Sequence, residues 1–477
     1  MSRRIDLSFG VAKLDISSDA GSGSQGEQMG ADDREHRQKD ELDRTLGLGD
    51  ALSIGVGTML GAGVFVFPGL AAGQAGLSFT VSFAIGAVVA LLVALPASEL
   101  ATAMPRSGGA YYFVSRGLGA LPGAVAGAGL WVGLIFASAF YLVGFGHYFL
   151  GGLAELGLDP AVSIIAIALP AAVALTWVNI RGTGSAGDLQ SFVVMLLVLM
   201  LGAIVLYGGW SLTAGRTGLP EAFAPSGIGG ILRTAALVFT SYLGFVQIAS
   251  VGGEIKKPDR NIPVAIVGSV LAVGTVYVLV MLVSTSVLPR ERLAELGETA
   301  FVAVARSLLG KAGAVAVLAA GLLATLSSAN ASIMGSSRSA YALSRDELLP
   351  EYLRRVNHRW GTPHVSLLAT GIPIAALTLL GRVEVLAQVA SFLHLVVYGL
   401  LCVGLVVLRS SPPDWYRPSF RLPGHPVVPL LGAAASFGLL AFMEPMAWVL
   451  SAAVVVAALL WHFLYAREVR LQGEQIQ

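Results

Sequence analysis

The feature that most limits how this chain can fold is its series of apolar stretches, each close to twenty residues or longer. A helix needs about 20 mainly apolar residues to cross the hydrocarbon core of a bilayer. About twelve such stretches occur, near residues 48–72, 76–103, 122–152, 160–180, 189–209, 229–252, 262–288, 300–344, 365–382, 385–408, 427–443 and 446–466. Composition agrees: 55% of the 477 residues are hydrophobic and 12% are charged, against about 25% charged in soluble domains. The expected fold class is therefore an all-α integral membrane protein of about 12 transmembrane helices, with the lipid bilayer as its first partner. The stretch from Ala300 is too long for one crossing, since a continuous helix over 300–344 would reach more than about 60 Å. Its end must project into water, and its start must be a surface or re-entrant piece.

Charge sets the orientation. Residues 1–44 are rich in Ser, Gly, Gln and mixed charges, as in "DDREHRQKDELDR" from Asp32 to Arg44, and lack the apolar core of a signal peptide. They read as a disordered cytoplasmic tail, and residues 469–477 as a short C-terminal one. With the N-terminus inside, the loops beginning at Pro105, Asn179, Glu254, Ser344 and Leu408 are cytoplasmic, and each carries Arg or Lys. The positive-inside bias thus places both termini in the cytoplasm of a multi-pass cell-membrane protein. A net charge of +1 offers no basic footprint for nucleic acid. The single cysteine, Cys402, excludes an intramolecular disulfide and any cysteine-cluster metal site.

Within the first apolar stretch, "GTMLGAGVFVFPG" (Gly57 to Gly69) places Gly57, Gly61 and Gly63 near the middle, where each interior glycine costs about 1 kcal/mol relative to alanine. Two readings fit. Gly57 and Gly61 form a GxxxG spacing that lets membrane helices approach closely. Alternatively the helix is discontinuous, and its unwound middle lines a cavity. The sixth stretch, "FTSYLGFVQIASVGGEIKKPDRNIP" from Phe239 to Pro263, is weak around Gly244 as well. Interruptions at matching places in two halves point to a transporter's binding site.

Four motifs in order, "GTMLGAGVFVFPG", "PRSGGAYYF" (Pro105 to Phe113), "EIKKPDRNIP" (Glu254 to Pro263) and "SSANASIMGSSRSAYALSRDELLP" (Ser327 to Pro350), resemble the amino acid–polyamine–organocation permeases. The resemblance runs over about residues 45–468. It implies a five-plus-five inverted-repeat core, repeat 1 at about 45–210 and repeat 2 at about 225–410, with broken helices 1 and 6, extra helices at about 427–466, and alternating access. It also implies an amino acid substrate whose carboxylate meets backbone N–H groups of Gly61, Ala62 and Gly63, with Thr58 adjacent. The ammonium then faces carbonyls near Phe239, Thr240, Tyr242 and Gly244. Ile135 and Ser138 of the third stretch could wall the pocket.

The central parts of the first, third, sixth and eighth stretches carry no Asp, Glu or Lys. A cationic side chain held at the midplane would call for one, so neutral L-amino acids are expected. Polyamines or cationic amino acids are the alternative, as is a sensor that binds without transporting. Several relatives carry a lysine in the fifth span, whereas "DLQSFVVMLLVLMLGAIVLYGG" from Asp188 to Gly209 has none, and Val198 or its neighbour stands at its place. Thr325, Ser327 and Ser328 of the eighth stretch are hydroxyls suited to sodium, or else hydrogen-bond their own helix. The coupling ion is then sodium or a proton, with His394 as an alternative relay and Glu99 and Asp188 read as interfacial. No cofactor is called for. The seven histidines show no ligand spacing, and an enzyme is not expected. Both a monomer and a homodimer are compatible with the sequence.

Overall fold

The computed structural model describes residues 44–104, 109–158, 161–182, 186–215, 217, 227–357 and 359–466, with the side chains of 186–190 left aside. The expectations for the two tails, for residues 105–108 of the second motif and for the side chain of Asp188 fall outside what is described. Among the described residues the structure is helical, with one isolated β-bridge, Leu46 to Ile255. Nine helical stretches among the described residues are long and apolar enough to cross a membrane, and His364–Thr378 and Val427–Leu440 are shorter apolar helices.

In chain order the helices are α1 (Leu48–Met59), α2 (Ala62–Ala75), α3 (Phe79–Ala103), α4 (Gly109–Leu118), α5 (Ala120–Glu155), α6 (Ile164–Arg181), α7 (Ala186–Thr213) and α8 (Gly227–Val238). A 3₁₀ segment, Phe239–Val246, leads into α9 (Gln247–Ser250), followed by α10 (Pro258–Val287), α11 (Arg290–Leu296), α12 (Ala300–Arg345), α13 (His364–Thr378), α14 (Val383–Ser410), α15 (Val427–Leu440) and α16 (Pro445–Leu464). The overlong stretch from Ala300 resolves at Gly310, whose φ of 66° divides α12 into a short leading piece and the main helix. Only glycine enters this left-handed region without a Cβ penalty.

Burial sorts the helices into an inner and an outer set. The most apolar windows of α5, of Gly227–Ser250 and of α14 are 72%, 78% and 72% buried, against 22% for α6 and 17% for α16. The outer helices expose Trp177, Val449 and Leu464, a surface that water would oppose and lipid tails accept. Inside, α12 lies along α5 and α10 along α3. The two interrupted stretches are tied at their ends, because Leu46 N–H donates to Glu254 O at 3.0 Å and Lys256 N–H to Leu46 O at 2.8 Å. That gives the "EIKKPDRNIP" motif a structural part.

Two of the expected positions take definite form here. Glu99, read as interfacial, is fully buried within the protein. Arg409 grips it through Nε (2.7 Å) and Nη2 (2.5 Å), and Tyr416 O–H and Leu422 N–H each donate to it at 2.7 Å. The carboxylate has left water because four donors, two of them from one guanidinium, replace it, and it pins the 411–426 loop to α3. On α7 Val198 is 40% exposed while Leu197 and Leu201 are buried. Of Val198 and its neighbour, helical rotation therefore turns Leu197 toward the interior.

Candidate functional site

The first interruption is abrupt. Helix α1 stops at Met59, Leu60 takes φ −70°, ψ 47° and Gly61 takes φ −91°, ψ −145°, and α2 starts at Ala62. A new helix start leaves its first N–H groups without intrahelical acceptors, and the buried residues Ala62, Gly63 and Val64 occupy that turn. Glycine is not there for a positive φ, because Gly61 has none. It is there for close approach: a Cβ on Gly61 would lie 2.1 Å from Ser328 Oγ, and one on Gly63 would lie 2.0 Å from Ser241 Oγ.

The second interruption is gentler. Phe239–Val246, all buried, tightens into a 3₁₀ helix whose flanking residues stay in the right-handed helical region. Its Gly244 meets the first interruption directly, since a Cβ there would stand 2.2 Å from Thr58 Oγ1 and 2.7 Å from the Thr58 carbonyl carbon. Thr58 O–H has Gly244 O as an acceptor at 3.1 Å, along with Ile54 O at 2.7 Å and Gly55 O at 3.1 Å in its own helix. Tyrosines from distant helices donate to other carbonyls nearby. Tyr398 O–H reaches Leu243 O at 2.9 Å, and Tyr277 O–H donates to Met59 O and reaches Ser241 O at 3.5 Å.

Between the interruptions lies a narrow cleft with a cavity volume of about 10 Å³, room for a water-sized group. Thr58 borders it from α1, Leu134, Ala137 and Tyr141 from α5, Leu243 and Gly244 from the 3₁₀ segment, Gln247 from α9, and Ser328, Ala331 and Ser332 from α12. Thr58, Gly244 and Ser328 of the sequence-derived set thus come together on one cleft, and none of its lining residues is an Asp, Glu, Lys, Arg or His. The others stand around it. Gly61, Ala62 and Gly63 are buried behind the cleft wall. Tyr242 sends its O–H away to Phe83 O at 2.9 Å, and Phe239 lies edge-on to Tyr398. Ile135 is buried, and Ser138 O–H donates to Leu134 O in its own helix at 2.7 Å. Thr240, Ser241 and Ser328 carry buried hydroxyls with no hydrogen-bond partner.

Of the hydroxyls considered for an ion, Thr325 donates to Gly321 O at 2.7 Å, Ser327 is half-buried, and Ser328 presses on Gly61. His394 Nδ1 is 2.9 Å from Ala390 O in its own helix, and its ring sits where a Cβ on Gly133 would be. Sequence reasoning missed Tyr141 and Gln247 in the cleft and the tyrosines Tyr277 and Tyr398 behind it. Gln247, a polar residue one turn beyond Gly244 in an apolar stretch, carried a legible signal, whereas a tyrosine in a membrane helix does not announce its acceptor.

Comparison with known proteins agrees with this architecture. A branched-chain amino acid permease, BcaP, of Bacillus subtilis (strain 168) is 29% identical over 449 residues, covering 90% of this chain and 94% of its own. A methylthioribose transporter of the same organism is 26% identical over 448 residues, covering 90% and 94%. The uncharacterized transporter Rv1999c of Mycobacterium tuberculosis (strain ATCC 25618 / H37Rv) is 32% identical over 420 residues, covering 87% and 90%. A family model described as amino acid permease matches residues 46–465. The chain belongs to the amino acid permease family, and is a multi-pass membrane transporter of the amino acid–polyamine–organocation superfamily rather than an enzyme.

Proposed function

We propose that this permease is a secondary active transporter of neutral L-amino acids, working by alternating access across the cytoplasmic membrane with both termini inside. The observation that carries this reading is the cleft between two interrupted helices whose lining holds no Asp, Glu, Lys, Arg or His. A zwitterion brings its own two charges, and backbone groups beside the cleft suit each of them. The first turn of α2, at Ala62 and Gly63, offers N–H groups and the positive end of a helix dipole to the carboxylate. The carbonyls around Leu243 and Gly244 suit the ammonium. A second positive charge would have no carboxylate to meet, which disfavours polyamines and cationic amino acids. Twelve spans with a five-plus-five inverted repeat are the scaffold this reading assumes, α1–α2 and α8–α9 being the paired interrupted members.

Coupling is sodium-linked, or transport is an uncoupled exchange. The unpartnered Ser328 hydroxyl beside Gly61 is a hard oxygen donor fit for sodium, with Ser327 next to it. Thr325, already bonded to its own helix, is a weaker member of that set. The protein in liposomes decides the matter. Labelled neutral amino acids should be taken up with saturation, and small or branched ones should compete better than arginine, putrescine or methylthioribose. Uptake should follow an imposed sodium gradient or preloaded amino acid. Uptake driven by a proton gradient alone would overturn the sodium assignment, and preferred uptake of arginine or putrescine would overturn the neutral specificity.

A further inference from the structure

Thr58 holds one hydroxyl proton and three carbonyl oxygens within reach, Ile54 O at 2.7 Å and Gly55 O at 3.1 Å in its own helix and Gly244 O at 3.1 Å across the cleft. A hydroxyl donates once and accepts through its lone pairs. When the proton serves Gly244 O, the two interrupted helices are tied together. When it turns back to Ile54 O, the nearest acceptor, Thr58 Oγ1 and Gly244 O become two acceptor oxygens 3.1 Å apart with no proton between them. Such a pair is favourable only if a third group donates to both. An ammonium, with its N–H donors and positive charge, is the group that fits. Both Thr58 and Gly244 border the cleft, so the pair is reachable from it.

We propose that Thr58 is a substrate-positioning residue on the ammonium side of the site, its hydroxyl turning from donor to Gly244 O into co-acceptor with Gly244 O when an ammonium arrives. This rests on the amino acid reading above and reassigns Thr58, which adjacency in sequence to Gly61 had put with the carboxylate. The fall-back bond to Ile54 O makes the turn inexpensive, because the proton is never left without an acceptor.

The test uses purified full-length protein and the neutral L-amino acid that binds it best, compared with the carboxylic acid lacking only the amino group. Both are measured as inhibition constants against labelled amino acid. Thr58→Val keeps shape and removes the hydroxyl, so it should weaken the amino acid about tenfold, as expected for a hydrogen bond to a charged group. The des-amino acid should be unaffected. Thr58→Ser should behave as the unmodified protein, and Thr58→Ala carries the same test if the valine variant is not monodisperse. Equal weakening of both ligands, or of neither, would overturn the assignment. Failure of the unmodified protein to bind any neutral L-amino acid would instead overturn the transport reading, and the Thr58 assignment with it.

Discussion

The two interruptions solve one problem in different ways. At Leu60–Gly61 the chain leaves the helix altogether and begins again at Ala62, so a buried helix start carries a fresh set of N–H groups. At Phe239–Val246 it never leaves the helical sense but winds more tightly, keeping local bonds of the i to i+3 kind. The first makes donors. The second redirects carbonyls, and side-chain hydroxyls of Tyr398 and Thr58 reach them. An asymmetric ligand with an anionic and a cationic end suits such a pair better than two like breaks would.

Substitutions can sharpen this contrast. The largest effect is expected at Gly63. Gly63→Leu would drive a side chain into Ser241 at the start of α2, and should abolish substrate binding while the protein still inserts and elutes as one species. Unchanged affinity by equilibrium binding would mean that the glycines serve packing alone. Next comes Gly244→Ala, whose Cβ meets Thr58 backbone as well as side chain. Backbone cannot swing aside, so the loss should reach about 3 kcal/mol, the upper range for overpacking, read from thermal unfolding in detergent.

Gly61→Ala meets only the Ser328 side chain at less than 3 Å. Its cost should be nearer about 1 kcal/mol, and Ser328→Gly in the same protein should restore most of it. If both alanine variants lose equally, the distinction between a soft contact and a hard one fails. Tyr398→Phe keeps the ring against Phe239 and Phe245 but removes the donor to Leu243 O, and about 1 kcal/mol of stability should go with it. The smallest effect belongs to Thr325→Val, within about 0.5 kcal/mol of zero. Its hydroxyl bonds its own helix, a bond of the kind that adds little in a helix, and the sodium dependence of uptake should persist. Abolished sodium dependence in that variant would make Thr325 a ligand after all.

Much of this architecture was legible before any coordinates. Apolar length determines which segments partition into a bilayer, the Lys and Arg of loops bias their sidedness, and Gly61 and Gly244 mark where helices yield. Those are local properties, carried by a residue and its near neighbours. The division of labour among hydroxyls was not legible. Ser138 and Thr325 turn back to their own helices, Ser328 and Ser241 are left unpartnered against glycines, and Thr58 divides its reach between α1 and the 3₁₀ segment. Nor could the sequence show Tyr277 donating to Met59, 218 positions away, or Glu99 buried by Arg409, 310 positions away. A serine or a tyrosine has the same donors and acceptors wherever it stands, so its partner is chosen by which distant helix the fold brings within about 3 Å. Membrane residence and the places of interruption were determined by the sequence alone, and the pairing of one interruption's threonine with the other's carbonyl was decided only by tertiary structure.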